Sequence, residues 1–215
     1  MILAGLLAML LLASGCRQQA EPAQRPLTYV AIGASDAVGV GARDPATEGW
    51  VPRFGATLGQ NTRVVNLGVS GSTLAQALQE QLGPAIDARP DVVTVWLAVN
   101  DLNARVPLDR YAADLDVLLA RLEPLGARVL VGNVPDLSAV AAYRGVEPGP
   151  LRAEVDRWNS VIANVAERHG ARVVDLHGRW QELAQHPEYV ASDGFHPSPD
   201  GYARLAQLFA EANGR

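Results

Sequence analysis

The sequence contains a single cysteine, Cys16, so no disulfide bond can form within the chain. It has no cluster of cysteine and histidine residues at the spacing of metal ligands, so we expect neither a metal site nor a cofactor. Lysine is absent, and the 18 basic residues, all arginine, form no basic cluster. With a formal net charge of −5, this distribution argues against nucleic-acid binding.

The N-terminal segment is the only long apolar run. Residues 1–15 are almost wholly apolar but too short to span a bilayer comfortably, which predicts a secretory signal peptide. The run ends in Leu-Ala-Ser-Gly before Cys16 and resembles the lipobox of bacterial lipoproteins. We therefore expect a lipid on Cys16 that anchors the protein to the bacterial cell envelope. The alternative is a plain signal cleaved near Gly15, which would give a secreted or periplasmic protein.

The rest of the chain divides into a short tether and one domain. Residues 16–26 are polar and contain proline, with no apolar periodicity, which is typical of a flexible tether behind the lipidated cysteine. A hydrophobic content of 48% and a charged content of 19% indicate that residues 27–215 form a single domain with a full core.

Alternating patterns in this domain predict an α/β fold. Short β-branched runs predict buried strands at 28–33, 63–67, 91–97, 128–132 and 172–176. Helical periodicity lies between and after them, at 50–59, 73–87, 108–124, 151–169 and 199–212. This order predicts a three-layer α/β/α sandwich around a five-stranded parallel, flavodoxin-like sheet. The irregular stretch 133–150 would leave the fourth strand at the edge where such sheets bind ligands.

Potential catalytic groups follow the first three predicted strands. Ser35 comes after the first strand in a glycine-rich loop, Gly68 after the second and Asn100 after the third. A fourth segment near the C-terminus pairs Asp193 with His196, three residues later. Because the carboxyl ends of parallel strands meet at one edge of the sheet, we expect the first three residues to lie close together.

These four segments, in this order, resemble the four blocks of the SGNH (GDSL-type) hydrolase family. The resemblance implies that Ser35 is a nucleophile, His196 its general base and acid, and Asp193 the carboxylate that orients the imidazole. It also implies an oxyanion hole built from the N–H groups of Ser35 and Gly68 and the side-chain amide of Asn100. The expected function is a serine esterase that acts on a small-molecule ester or thioester.

Two positions depart from the family pattern. Ala34 stands where the first block commonly has aspartate, and Ala98 stands where the third block commonly has glycine. Neither change removes a catalytic group. The methyl group of Ala98 is expected to sit at a tight backbone position and to shift Asn100.

Three other functions compete with this interpretation. An α/β-hydrolase requires Gly-x-Ser-x-Gly around its nucleophile, and Ser35 is followed by Asp36-Ala37. A dinucleotide-binding domain requires a complete Gly-x-Gly-x-x-Gly, which the run from Val38 to Gly41 lacks. A non-catalytic carbohydrate- or lipid-binding module on the same fold stays open at this point.

The remaining polar and aromatic candidates favour structural roles. We expect His169 to cap a helix, His177 to stand at a strand end within reach of the pocket, and His186 to lie in a loop. The four tryptophans are expected in the core or in helix packing rather than in a stacking platform: Trp50, Trp96, Trp158 and Trp180.

The predicted lipid anchor can be tested by replacing Cys16. A Cys16→Ser protein should lose its acyl modification and appear as a soluble or uncleaved form, while the wild type partitions with membranes. Mass spectrometry of the mature N-terminus measures the outcome directly. An unlipidated N-terminus that begins at another residue in the wild type would contradict the prediction.

Overall fold

A computed structural model describes residues 25–179, 182 and 185–214. Its centre is a five-stranded, entirely parallel sheet in the order β2-β1-β3-β4-β5. The strands are β1 (Thr28–Gly33), β2 (Arg63–Asn66), β3 (Val92–Trp96), β4 (Arg128–Gly132) and β5 (Arg172–Val174). Both the α/β class and the flavodoxin-like strand order predicted from the sequence are confirmed.

Ten helices surround or connect these strands in the described part of the chain. They are α1 (Ser35–Val38), α2 (Pro45–Glu48), α3 (Trp50–Thr57), α4 (Leu74–Glu80), α5 (Leu82–Asp87), α6 (Val99–Asn103), α7 (Leu108–Leu122), α8 (Pro148–Arg168), α9 (Leu176–Arg179) and α10 (Pro199–Asn213). Single 3₁₀ turns occur at Glu123–Leu125, Leu137–Ala139, Ala141–Tyr143 and Pro187–Tyr189. None of the described helices has the length and apolar character needed to cross a bilayer.

The central strands are apolar because helices cover both faces of the sheet. Every residue of β1 and β3 is buried, including Thr94, whose hydroxyl hydrogen-bonds to that of Tyr29 at 2.9 Å. The edge strand β2 is mostly exposed. Because parallel strands bury both faces, their continuous apolar runs were identifiable from the sequence.

Aromatic pairs hold a helical layer to each face. On one face Tyr111 of α7 packs against Trp158 of α8, with ring centroids 4.7 Å apart, and donates its hydroxyl to the carbonyl oxygen of Leu97. On the other face Trp50 of α3 stacks on Phe209 of α10 at 4.3 Å. Each such ring contributes on the order of 2 kcal/mol through burial. The two clusters keep the sheet rigid beneath the loops at its carboxyl edge.

The structure adds four short helices that were not predicted, α1, α2, α6 and α9, and differs from the predicted helices in two places. The single helix expected at 73–87 is interrupted at Gln81, because Pro84 lacks the N–H that a continuous helix would need. Helix α8 begins at Pro148 rather than at residue 151, with proline at its first position, and this shortens the predicted irregular stretch. Elsewhere the element boundaries shift by a few residues at most.

The predicted N-terminal segments fall almost entirely outside the described residues. Cys16 and the signal peptide over residues 1–15 are not among them. Of the predicted tether, Arg25 and Pro26 are described, and the guanidinium of Arg25 contacts both carboxylate oxygens of Asp91, at 2.8 and 2.5 Å. The domain therefore begins against the amino end of β3.

Candidate active site

Three of the predicted residues form one hydrogen-bonded chain. Ser35 is the first residue of α1, directly beyond β1, and its Oγ atom lies 3.0 Å from Nε2 of His196. The Nδ1 atom of His196 lies 2.7 Å from Oδ2 of Asp193. The fold thus joins residues that are 161 positions apart in the sequence. A hydroxyl, an imidazole and a carboxylate in this order can carry out nucleophilic catalysis.

Asp193 orients His196 through both the side chain and the backbone. While Oδ2 contacts the imidazole, Oδ1 accepts the N–H groups of Phe195 at 2.9 Å and His196 at 3.0 Å. Partial burial acts to raise the pKa of Asp193, but the hydrogen bonds from His196 and these N–H groups outweigh it and hold that pKa below its ordinary value. The carboxylate therefore stays charged beside the imidazole at neutral pH.

Asn100 lies in the first turn of α6 and lines a narrow pocket together with Ser35. One hydrogen of its side-chain amide goes to the carbonyl oxygen of Ser72 at 3.0 Å. Within the described residues the other amide hydrogen has no acceptor, so it is available to a ligand. Ala98 is buried, and its φ of 164° lies outside the left-handed region, so the possible shift of Asn100 by its methyl group stays a prediction.

Gly68 meets the predicted role less well. Its N–H already donates to Oδ1 of Asn66 at 3.0 Å. A β-carbon at this position would lie 2.7 Å from Cβ of Ala37 and 3.1 Å from the carbonyl oxygen of Ala34. Glycine is therefore required here so that the loop can pack against the turn that carries Ser35. The prediction that the Gly68 N–H serves the oxyanion stays a prediction, and it requires the bond to Asn66 to be shared or broken.

Gly71, three residues further along the same loop, was overlooked in the sequence. Its N–H has no acceptor among residues 25–179, 182 and 185–214. Its φ of +80° lies in the left-handed region that favours glycine. The second glycine of the Gly-Val-Ser-Gly run was a visible signal, but nothing in the sequence distinguishes the two glycines.

The side chain of Gln81 links the end of β1 to the loop between β2 and α4. Its side-chain amide accepts the N–H of Gly33 at 2.9 Å and donates to the carbonyl oxygen of Gly33 at 3.0 Å. The same Nε2 atom lies 3.2 Å from Oγ of Ser72. Gln81 is only 1% exposed. Its amide pairs with the backbone of Gly33 as a neighbouring strand would. It therefore fixes both the backbone before Ser35 and the loop that holds Asn100.

Asp101 adds a second link between the same loops. Its carboxylate accepts the N–H of Leu74, the first residue of α4, at 3.0 and 3.2 Å. Burial raises the pKa of Asp101 to about 6, while the hydrogen bond from Leu74 opposes the rise. Asn100 and Asp101 together attach α6 to the loop between β2 and α4.

A second, apolar pocket adjoins the pocket of Ser35. The two share Asp36, Trp96, Val99 and Phe195. Beyond these residues, the apolar pocket extends along the 3₁₀ turn at Leu137–Ala139 and the segment around Tyr189. The segment after β4 therefore shapes a pocket, as the sequence predicted for 133–150.

The other histidines do not join the site. His177 lines neither pocket, and its Nε2 atom lies 3.7 Å from Asp156. His169 is the C-cap residue of α8, as expected, but its ring bonds elsewhere: the Nε2 atom lies 3.0 Å from a carboxylate oxygen of Asp116. His186 contacts Glu188 in a loop.

The remaining sequence-based expectations concern the four tryptophans and a metal site. Trp50 and Trp158 lie in the core, Trp96 also lines both pockets, and Trp180 is outside the described residues. Within the part of the chain that the structure describes, no group of three His, Cys, Asp or Glu side chains is arranged to hold a metal ion.

Comparison with known proteins points to one family. The profile of the GDSL-like lipase/acylhydrolase family matches residues 31–204. An acetylxylan esterase of Geobacillus stearothermophilus is 28% identical over 159 residues, which cover 68% of this chain and 70% of that protein. An arylesterase of Vibrio mimicus is 22% identical over 180 residues, covering 82% of this chain and 84% of that protein.

Solved structures show the same fold. The crystal structure of Axe2, an acetylxylan esterase from Geobacillus stearothermophilus, matches with a TM-score of 0.73 at 24% identity, covering 89% of this chain and 97% of that one. The crystal structure of TesA matches with a TM-score of 0.70 at 20% identity, covering 86% and 97%.

Replacement of Gln81 should destabilise the domain. Gln81→Met keeps the length of the side chain but leaves the buried N–H of Gly33 without its acceptor, while the Gly33 carbonyl keeps the N–H of Val69. We expect the free energy of unfolding to fall by about 1–3 kcal/mol. Denaturant titration measures it, with Gln79→Met on the exposed face of α4 as a matched control expected to stay within about 0.5 kcal/mol. Equal stability of the two variants would show that the Gln81 contacts contribute nothing.

Proposed function

The chain belongs to the GDSL-like lipase/acylhydrolase family, and on that premise we propose that it hydrolyses esters through an acyl-enzyme on Ser35. Its relatives are esterases, and the chain is a carboxylic ester hydrolase. The observation that carries the assignment of residues is the hydrogen-bonded chain from Ser35 through His196 to Asp193, with contacts of 3.0 and 2.7 Å.

In the first half of the proposed reaction, Nε2 of His196 takes the proton of Ser35 while Oγ attacks the ester carbonyl. Asp193 stabilises the imidazolium that forms. Collapse of the tetrahedral intermediate breaks the bond to the alcohol, and Nε2 returns the proton to the departing alkoxide. In the second half, water attacks the acyl-enzyme with His196 again as base, and the acid and free Ser35 are released.

The negative charge on the carbonyl oxygen requires donors on the opposite side from His196. We assign this role to the N–H of Ser35, the unused amide hydrogen of Asn100 and one backbone N–H of the 68–71 loop. As the first residue of α1, Ser35 has an N–H with no acceptor inside the helix. For the loop donor we prefer Gly71 to the predicted Gly68, because the Gly68 N–H is already bound to Asn66.

The proposed substrate is a small ester with a short acyl group. Two relatives, from Geobacillus stearothermophilus and Xylanibacter ruminicola, are acetylxylan esterases, so acetylated carbohydrates are the first natural esters to test. No observation favours the alternative of a non-catalytic carbohydrate- or lipid-binding module. Attachment to the cell envelope through a lipid on Cys16 stays part of the proposal and rests on the N-terminal sequence alone.

Removal of either member of the Ser35–His196 pair should abolish most esterase activity. We expect Ser35→Ala and His196→Ala to retain the melting temperature of the wild type within a few degrees. The double variant should be little worse than either single one, because the two side chains act as a unit. Hydrolysis of nitrophenyl acetate and labelling by a serine-reactive phosphonate measure the effect, and full activity of Ser35→Ala would refute the proposal.

Asn100→Ala separates stabilisation of the transition state from a structural role. Loss of one oxyanion donor should lower kcat by about 10²- to 10³-fold with little change in KM. Phosphonate labelling of Ser35 should persist. Asn103→Ala is a matched control in the same helix, because Asn103 only accepts the Tyr143 hydroxyl at 2.8 Å and lines neither pocket. An Asn100→Ala protein that is less stable but has unchanged kcat would remove Asn100 from the oxyanion hole.

A further inference from the structure

Asp36 is an acidic residue at the reaction centre that the proposed mechanism does not use. It follows Ser35 in α1 and lines both the pocket of Ser35 and the adjoining apolar pocket. A carboxylate at the junction of the two pockets faces any ester that reaches Ser35 and extends into the apolar one.

The surroundings of Asp36 contain almost nothing that binds a carboxylate. The other residues lining the apolar pocket are apolar or aromatic, with rings from Trp96, Tyr189 and Phe195. Apart from contact with its own backbone N–H, the Asp36 carboxylate has no hydrogen bond or ion pair with another described side chain. Burial raises the pKa of Asp36 to about 6, against the opposing attraction of His196. At neutral pH the group is therefore charged, poorly solvated and able only to accept hydrogen bonds.

We propose that Asp36 determines substrate specificity: it favours esters that present a hydrogen-bond donor in the apolar pocket and discriminates against esters that carry a carboxylate there. A hydroxyl or an ammonium group supplies the donor that Asp36 lacks, and the aromatic rings pack against the carbon atoms around it. A second negative charge would meet Asp36 in a region with little water, which is strongly unfavourable. This inference rests on the proposed esterase function.

Two series of nearly isosteric esters test the proposal, because either arm of the ester can occupy the apolar pocket. On the alcohol side the substrates are propyl acetate, ethylene glycol monoacetate, dimethylaminoethyl acetate, whose protonated amine carries an N–H, and acetylglycolate. On the acyl side they are the nitrophenyl esters of butyrate, 3-hydroxypropionate and succinate. For each series, kcat/KM of the charged or hydroxylated ester is divided by kcat/KM of the apolar ester.

In at least one series, Asp36→Asn should raise the carboxylate-to-apolar ratio by about tenfold or more. The ratio for the hydroxylated or cationic ester should fall in the same series. Asp109→Asn is the matched control: it changes the net charge equally, but Asp109 is exposed at the start of α7 and lines neither pocket. Its ratios should equal those of the wild type.

The pH dependence of the ratio provides a second readout. Below about pH 6 Asp36 takes up a proton, so the carboxylate-to-apolar ratio of the wild type should rise on acidification, and that of Asp36→Asn should stay flat. His196 lies beside Asp36 and serves every ester alike, so its contribution to the rate cancels from the ratio. Hydrogen bonds keep the pKa of Asp193 low, and burial raises the pKa values of Tyr143 and Tyr202, so these three groups keep their charge state.

Two results would overturn the inference. One is an unchanged ratio in both series. The other is an equal loss of kcat for every substrate in Asp36→Asn, which would mean that Asp36 acts on His196 rather than on the substrate. Either result counts against the inference only if Ser35→Ala is inactive in the same assays. An active Ser35→Ala would instead refute the proposed function itself.

Discussion

The end of strand β1 has to be buried on all sides and still leave Ser35 within reach of a substrate. The edge strand β2 ends at Asn66, so the N–H of Gly33 would lack a partner without the amide of Gln81, which also donates to the Gly33 carbonyl beside the N–H of Val69. On the other side, Gly68 packs against the turn of Ser35 at a distance that no larger residue allows. These contacts hold Ser35 in place from behind, and the loops that carry Asn100 and Gly71 depend on them.

Three aspartates around this point differ in their hydrogen-bond partners because their surroundings differ. Asp193 receives hydrogen bonds from His196 and two backbone N–H groups, so it stays charged and orients the imidazole of His196. Asp101 is buried with one backbone donor and acts as a link between loops. Asp36 is partly buried and has no side-chain hydrogen-bond partner among the described residues, which leaves its interactions open to the substrate. Their environments favour three roles: orientation of the base, support of the loops and recognition of the ester.

The points at which the structure departs from the sequence analysis share a physical cause. The N–H of Gly68, expected at the oxyanion, is already bound to Asn66. The ring of His169 bonds to Asp116, 53 positions away, rather than to the end of its own helix. In each case the outcome depends on a partner brought in by the fold, and local sequence carries no information about that partner.

The sequence determined the order of strands and helices, because buried parallel strands leave continuous apolar runs. It also indicated the residues expected to carry the chemistry, because polar residues follow those runs. The four blocks in sequence order were sufficient to identify Ser35, Asn100, Asp193 and His196 as candidates. Only the tertiary structure decided that Ser35 and His196 lie at hydrogen-bond distance, that Gln81 supports both loops and that Asp36 faces the pocket. Those relations join residues distant in sequence, and their distances follow from how helices pack on the sheet rather than from any local pattern.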